Sequence, residues 1–177
     1  GILINPLVSI HSNGGNIVMG GGTCTLDGSS AAATSISDGN VSGISIAGAS
    51  GSPVTINSGG GNINLWGRGW EYSSSGIKTT YTTIDSGAGG SLTLRGDGIH
   101  SSYHGHGLVL DNTTLRGGSG GMTLTGNGNV TGTGQWSWAA ILQNNASAYT
   151  TDGGKLSVNA NMDQLDGNNS YLYTDAT

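Results

Sequence analysis

Phenylalanine is missing from the 177-residue sequence, cysteine occurs once, proline twice, and charged residues make up only 8%. Each scarcity excludes something. The lone Cys24 has no partner within the chain, so stability must come from packing and backbone hydrogen bonds rather than an internal disulfide. Between Thr23 and Thr25 it reads as a small buried apolar residue, not a reactive thiol. A net charge of −5 and a pI near 4.9 exclude nucleic acid and anionic membrane as the main partners. No apolar run is long enough to insert into a bilayer. There is no initiating Met or signal peptide, and strand pattern begins at once with Ile2-Leu3-Ile4. Residues 1–177 are therefore expected to form a single segment, an excerpt of a much longer repeat protein.

Catalytic and helical signals are equally sparse. The one helical candidate, Ala139 to Gln143, is about one turn long and shows no sustained 3.6-residue period. The ten acidic residues are dispersed, with Asp163 and Asp166 the closest pair, so the paired carboxylates of a glycosidase cannot be assigned. No Gly-x-Ser-x-Gly elbow occurs, and Gly153-Gly154-Lys155-Leu156 lacks the hydroxyl residue a phosphate loop needs after its lysine. Gly96-Asp97-Gly98 is an isolated match to calcium-binding repeats. The expectation is a protein that is not an enzyme and carries no cofactor.

Glycine, by contrast, is abundant: 35 residues, with no Gly-X-Y period that would indicate collagen. Between the glycines run short apolar–polar alternations of period two. Ile2-Leu3-Ile4, Ile17-Val18-Met19, Ile44-Ser45-Ile46, Val54-Thr55-Ile56 and Ile63-Asn64-Leu65 are strand-like triplets. Leu92-Thr93-Leu94, Leu108-Val109-Leu110, Met122-Thr123-Leu124 and Leu156-Ser157-Val158 continue the series. The Gly-Gly or Gly-x-Gly that follows them is expected to form corners with positive φ.

The triplets recur in a larger unit. Ile10 leads to Ile17 and Met19, Ile56 to Ile63 and Leu65, Ile84 to Leu92 and Leu94, Leu115 to Met122 and Leu124, and Tyr149 to Leu156 and Val158. Ile2, Ile77, Leu108 and Ile141 precede these anchors by seven or eight residues. The unit lengthens from 28 residues (Ile56 to Ile84) to 31 (Ile84 to Leu115) and 34 (Leu115 to Tyr149). The 46 residues from Ile10 to Ile56 are expected to hold two shorter coils, with Ile36 to Ile46 in the weaker one. Such units cannot bury an apolar face alone, but stacked in register they bury a continuous column. The expected fold is all-β, a single-stranded parallel β-helix of about six coils with loop insertions, roughly 30 Å long at about 4.8 Å per coil.

Gly61-Asn62-Ile63-Asn64-Leu65-Trp66-Gly67, Gly90-Ser91-Leu92-Thr93-Leu94-Arg95-Gly96 and Gly121-Met122-Thr123-Leu124-Thr125-Gly126 alternate with segments such as Gly107-Leu108-Val109-Leu110-Asp111. Together they resemble the repeats of filamentous haemagglutinin-type exoproteins. These Gram-negative proteins are exported by two-partner secretion and include adhesins and contact-dependent growth inhibition effectors. The resemblance implies a right-handed coil, a secreted or cell-surface location and an outer-membrane transporter for export of the full-length protein. It further implies a receptor, an outer-membrane protein or a glycan, on a target cell. Plain filament coils in that family are near 20 residues, so the longer coils here suggest a decorated, binding part of the filament.

The decorations supply the candidate receptor-binding residues. Trp66, Arg68, Trp70 and Tyr72 lie in one insertion, His100, Tyr103, His104 and His106 in a second, and Trp136 and Trp138 in a third. Exposed tryptophans bury a large rigid face at little entropic cost and make good anchors. The competing reading is that they only cover the side of the rod. The histidines have no Cys or carboxylate cluster completing a metal-ligand spacing, so no metal is expected. Two rival functions remain open: a polysaccharide-degrading or tailspike-like β-helix enzyme, and a purely structural shaft.

Overall fold

The computed structural model describes residues 1–20, 33–34, 42–69, 75–100, 105–130, 138–162 and 172–174, and every regular element among them is a β-strand. In chain order these are β1 (Ile2–Ile4), β2 (Ser9–His11), β3 (Ile17–Met19), β4 (Ala33–Thr34), β5 (Ile44–Ala47), β6 (Val54–Asn57), β7 (Ile63–Gly69) and β8 (Ser75–Asp85). They continue with β9 (Leu92–His100), β10 (His106–Gly117), β11 (Met122–Val130), β12 (Ala140–Gln143), β13 (Ser147–Thr150), β14 (Leu156–Met162) and β15 (Leu172–Thr174). The stretch Ala139 to Gln143, whose helical pattern is too short to sustain a helix, is largely β12, whose backbone groups pair with β10 and β15.

All pairings between these strands are parallel, so the chain stacks on itself as a β-solenoid with the expected all-β, β-helical architecture. One sheet runs β1-β5-β8-β10-β12-β15, with β2, β6 and β13 joining alongside, and the other runs β14-β11-β9-β7-β3. The first sheet bends in mid-strand and so forms two faces. The bend falls where β8 and β10 carry Tyr81 (φ 43°) and Asn112 (φ 45°), while Asn144 and Asn145 (φ 52° and 64°) connect β12 to β13. Asparagine tolerates this left-handed conformation, and a tyrosine there is unusual.

Register explains why the aliphatic triplets recur. Ile2, Ile44, Ile77, Leu108 and Ala140 stack in one inward column, and Ile10, Ile56, Ile84, Leu115 and Ala148 in a second. Ile17, Ile63, Leu92, Met122 and Leu156 form a third. Side chains of a strand alternate between its two faces, so each aliphatic-x-aliphatic triplet sends two residues inward. Ile44, Ile56, Ile63, Ile77, Ile84, Leu92, Leu108 and Leu115 are completely buried, each such side chain contributing about 1.5–3 kcal/mol of hydrophobic stabilisation.

The expected alignment is shifted by one residue late in the chain. Ala140 and Ala148, not Ile141 and Tyr149, occupy the inward columns. Tyr149 pairs with Arg116 on the outside and is exposed. The 46 residues after Ile10 do not form two stacked coils either: β1, β2 and β3 pair directly with β5, β6 and β7. Ile44 and Ile46 belong to β5, and Cys24 and residues 35–41 lie outside the described residues.

The glycines divide into two groups. Gly14, Gly59, Gly60, Gly87, Gly121 and Gly153 have positive φ and turn the chain between sheets, as expected for corners. Gly67, Gly96, Gly98 and Gly126 do not: they are strand residues of β7, β9 and β11, pointing inward. The strands that carry them therefore run on past the aliphatic triplets, to nine residues in β9 and in β11.

Candidate functional site

Beyond the aliphatic columns, β7, β9 and β11 continue past the edge of the core and lie face to face with the stretches entering β8, β10 and β12. A Cβ placed on Gly67 would sit 2.1 Å from the Gly76 carbonyl oxygen, and on Gly96 2.0 Å from that of Gly107. On Gly126 it would sit 1.8 Å from that of Ala139. No side chain fits, so the two sheets touch backbone to backbone, far closer than the about 10 Å usual between packed sheets. The result is a thin two-layered fin. Among the described residues its inner surfaces are built of glycine, with alanine at Ala33 and Ala139, and the larger side chains project from two outer surfaces. The three insertions, residues 70–74, 101–104 and 131–137, link the two layers.

On the outer surface of the β7–β9–β11 layer, a buried carboxylate gathers its neighbours. Arg68, Asp97 and Asn127 are in register on successive strands, and Trp66 and Arg95 are the adjacent outward pair. The Trp66 Nε1–H donates to Asp97 Oδ2 at 2.7 Å, and Asn127 Nδ2 donates to Oδ1. Arg95 Nε lies 3.2 Å from Oδ1, and an Arg68 guanidinium nitrogen lies 3.6 Å from Oδ2. The Arg95 guanidinium also stacks 4.3 Å above the Trp66 ring, a cation–π contact that holds both side chains flat. Only 6% of the Asp97 side chain is exposed, against 38% for Arg68 and 44% for Arg95. Burial pushes the Asp97 carboxyl up, but the Asn127 and Trp66 hydrogen bonds and the Arg95 charge outweigh it, leaving the group below its usual range.

On the opposite outer surface, His106 and Trp138 are neighbours in register. Their rings stack with centroids 5.2 Å apart at 17°, and the Trp138 backbone N–H donates to His106 Nδ1 at 3.2 Å. That assignment puts the neutral ring's proton on Nε2. Beside the pair runs a groove of about 340 Å³. Val109 and Ile141, side by side on β10 and β12, lie at its bottom, 7% and 3% exposed. Ser75, Lys78, Thr80, Asp111 and Gln143 complete its lining. Asp111 is held by three side-chain amides: Asn112 and Asn144 donate to Oδ1 at 2.8 and 3.0 Å, and Gln143 donates to Oδ2 at 3.1 Å.

Of the residues expected to bind, Trp66 and Arg68 thus meet on one side of the fin, His106 and Trp138 on the other. Trp66–Gly69 is strand, not insertion, which shortens that insertion to residues 70–74. His100 closes β9 opposite Val130. Trp70, Tyr72, Tyr103, His104 and Trp136 lie outside the described residues, as does the side chain of His100. Sequence reasoning missed Arg95, Asp97, Asn127, Lys78 and Asp111 as site residues. A signal for two of these was present: Gly67-Arg68-Gly69, Gly96-Asp97-Gly98 and Gly126-Asn127-Gly128 repeat in successive coils and place Asp97 and Asn127 in one column with the expected Arg68. Among the described residues, no group of three His, Cys or carboxylate side chains converges as a metal site. No family model, no curated protein and no solved structure matches the chain.

Proposed function

We propose that this solenoid is a receptor-binding, adhesive segment of a large filamentous exoprotein of the filamentous haemagglutinin type. On this reading the full-length protein leaves a Gram-negative cell through an outer-membrane transporter, and the fin meets an outer-membrane protein or glycan on a target cell. The observation that carries the reading is the fin itself. A shaft needs only its aliphatic columns, yet here three successive coils extend past the core and are joined backbone to backbone by glycine. Both outer surfaces carry aromatic, cationic and amide side chains beside the insertions. Rigid aromatic and arginine side chains are the groups that most often anchor partners.

Binding of the fluorescently labelled chain to target cells tests this. Residues 70–74 and 101–104 are replaced by glycine–serine linkers of equal length, which leaves every strand pairing in place. Cell binding is expected to fall at least about tenfold, a change of about 1.4 kcal/mol, with the β-type circular dichroism unchanged. Undiminished binding, or no binding by the unaltered chain, overturns the proposal. Release of new reducing ends from a polysaccharide would instead favour an enzyme.

A further inference from the structure

We infer that the groove beside Trp138 is a saccharide site that selects a sugar bearing a carboxylate. The inference deepens the receptor-binding proposal and rests on it, naming the chemistry of the receptor. A pyranose presents two kinds of surface: a C–H face that needs an apolar or aromatic platform, and a rim of hydroxyls that needs fixed donors and acceptors. Both are present here. The Trp138 ring, held flat by His106 and by its own backbone hydrogen bond, stands beside the apolar Val109–Ile141 bottom. Across the groove, Asp111 and Gln143 are locked together, so a hydroxyl meeting them meets groups that need no reordering. The volume of about 340 Å³ is at the small end of ligand sites and suits one or two sugar rings.

Charge decides the class. Asp111 already accepts three amide hydrogen bonds, so a ligand cation would compete with donors in place. Lys78 is exposed and makes no ion pair among the described residues. Among the described residues its ammonium is therefore the ionic group on the rim still able to take a counter-charge, and its complement is a carboxylate. In a chain with five basic residues and ten acidic ones, general attraction for anions is not at work, so any acid selectivity must be local to Lys78.

Titration of the whole chain with matched probes tests this. The probes are 3′-sialyllactose against lactose and digalacturonate against galactobiose. At least one acidic probe is expected to bind at least about tenfold more tightly than its neutral counterpart. Lys78→Met should erase that preference while leaving circular dichroism and thermal unfolding unchanged, because the side chain is exposed. Trp138→Ala should weaken acidic and neutral probes alike by about tenfold or more. Equal affinities for the two members of both pairs, no binding of either acidic probe, or a preference that survives Lys78→Met overturns the inference. Cell binding measured on the same variants separates the two readings. Cells still bound by Lys78→Met and Trp138→Ala sink the saccharide site but leave the receptor role standing. No cell binding by the unaltered chain sinks the receptor role itself.

Discussion

Gly96 and Gly107 lie so close that a single methyl group on Gly96 would stand 2.0 Å from the Gly107 carbonyl oxygen. The obstacle is backbone on both sides, so neither layer of the fin can yield by changing a rotamer. Gly96→Ala should therefore cost about 3 kcal/mol or more, above the usual range for an overpacked core side chain. Gly89→Ala is the control: its Cβ would meet nothing nearer than 3.7 Å and its φ is not in the left-handed region. That change should leave stability within about 0.5 kcal/mol. Urea unfolding of the two variants checks the contrast, and equal midpoints would remove the backbone contact as the reason for these glycines.

Asp97 is the charge around which one surface of the fin is ordered. Asp97→Asn leaves a side chain of the same shape but strips two arginines, an indole N–H and an asparagine amide of their shared anion. A loss of about 2 kcal/mol at neutral pH is expected from hydrogen bonds to a charged group. The pH dependence follows from the sign of the shift. The folded carboxyl titrates below its unfolded value, so its contribution is complete above the unfolded pKa near 3.9 and is lost as pH falls through the folded one. The stability gap between native chain and variant should therefore be constant from about pH 5 to 7 and narrow below about pH 4. A gap that widened on acidification would mean that Asp97 is stabilised in its neutral form.

The strands, their parallel stacking and the aliphatic columns could be read from period-two triplets because a solenoid core repeats its demands at every level. Leu92 and Leu94 recur as Met122 and Leu124 since the same space must be filled again. Glycine was harder to read. A glycine that turns the chain, such as Gly87, and one that admits a neighbouring backbone, such as Gly96, look identical in sequence, and only the fold separates them. The Asp97 cluster was hidden for a related reason. Its members lie about 30 residues apart (Arg68, Asp97 and Asn127) and are joined only through register. Alanine misled the alignment at Ala140 and Ala148, which fill inward positions while the larger Ile141 and Tyr149 beside them point out.

At the corner between the two sheets, serine hydroxyls tie each coil to the next. Ser12 Oγ donates to the Ser58 carbonyl at 3.1 Å and Ser58 Oγ to the Ser86 carbonyl at 3.0 Å. Ser86 Oγ bonds the Gly90 carbonyl at 3.0 Å and accepts from the Gly118 N–H at 3.2 Å. Ser58 and Ser86 are completely buried, so water cannot replace a lost hydroxyl. Ser86→Ala should cost about 1–2 kcal/mol. It should appear as a lower urea midpoint at unchanged m-value, and a changed m-value would mean that the corner had opened instead.

The register of the last coils makes the sharpest test of the fold. Leu115 and Tyr149 begin equivalent repeats by sequence, but the structure places Leu115 inside, completely buried, and Tyr149 outside opposite Arg116. Leu115→Ala leaves a hole in the column between Ile84 and Ala148 and should cost 2–5 kcal/mol, the range for deleting a buried leucine side chain, so about 3 kcal/mol is expected. Tyr149→Ser removes a partly exposed ring from the surface and should cost less than about 0.5 kcal/mol. Were Tyr149 the inward residue, the second substitution would be as damaging as the first. Thermal unfolding of the two single variants therefore distinguishes an inward Ala148 from an inward Tyr149, and a large loss for Tyr149→Ser would move every residue of β13 to the opposite face.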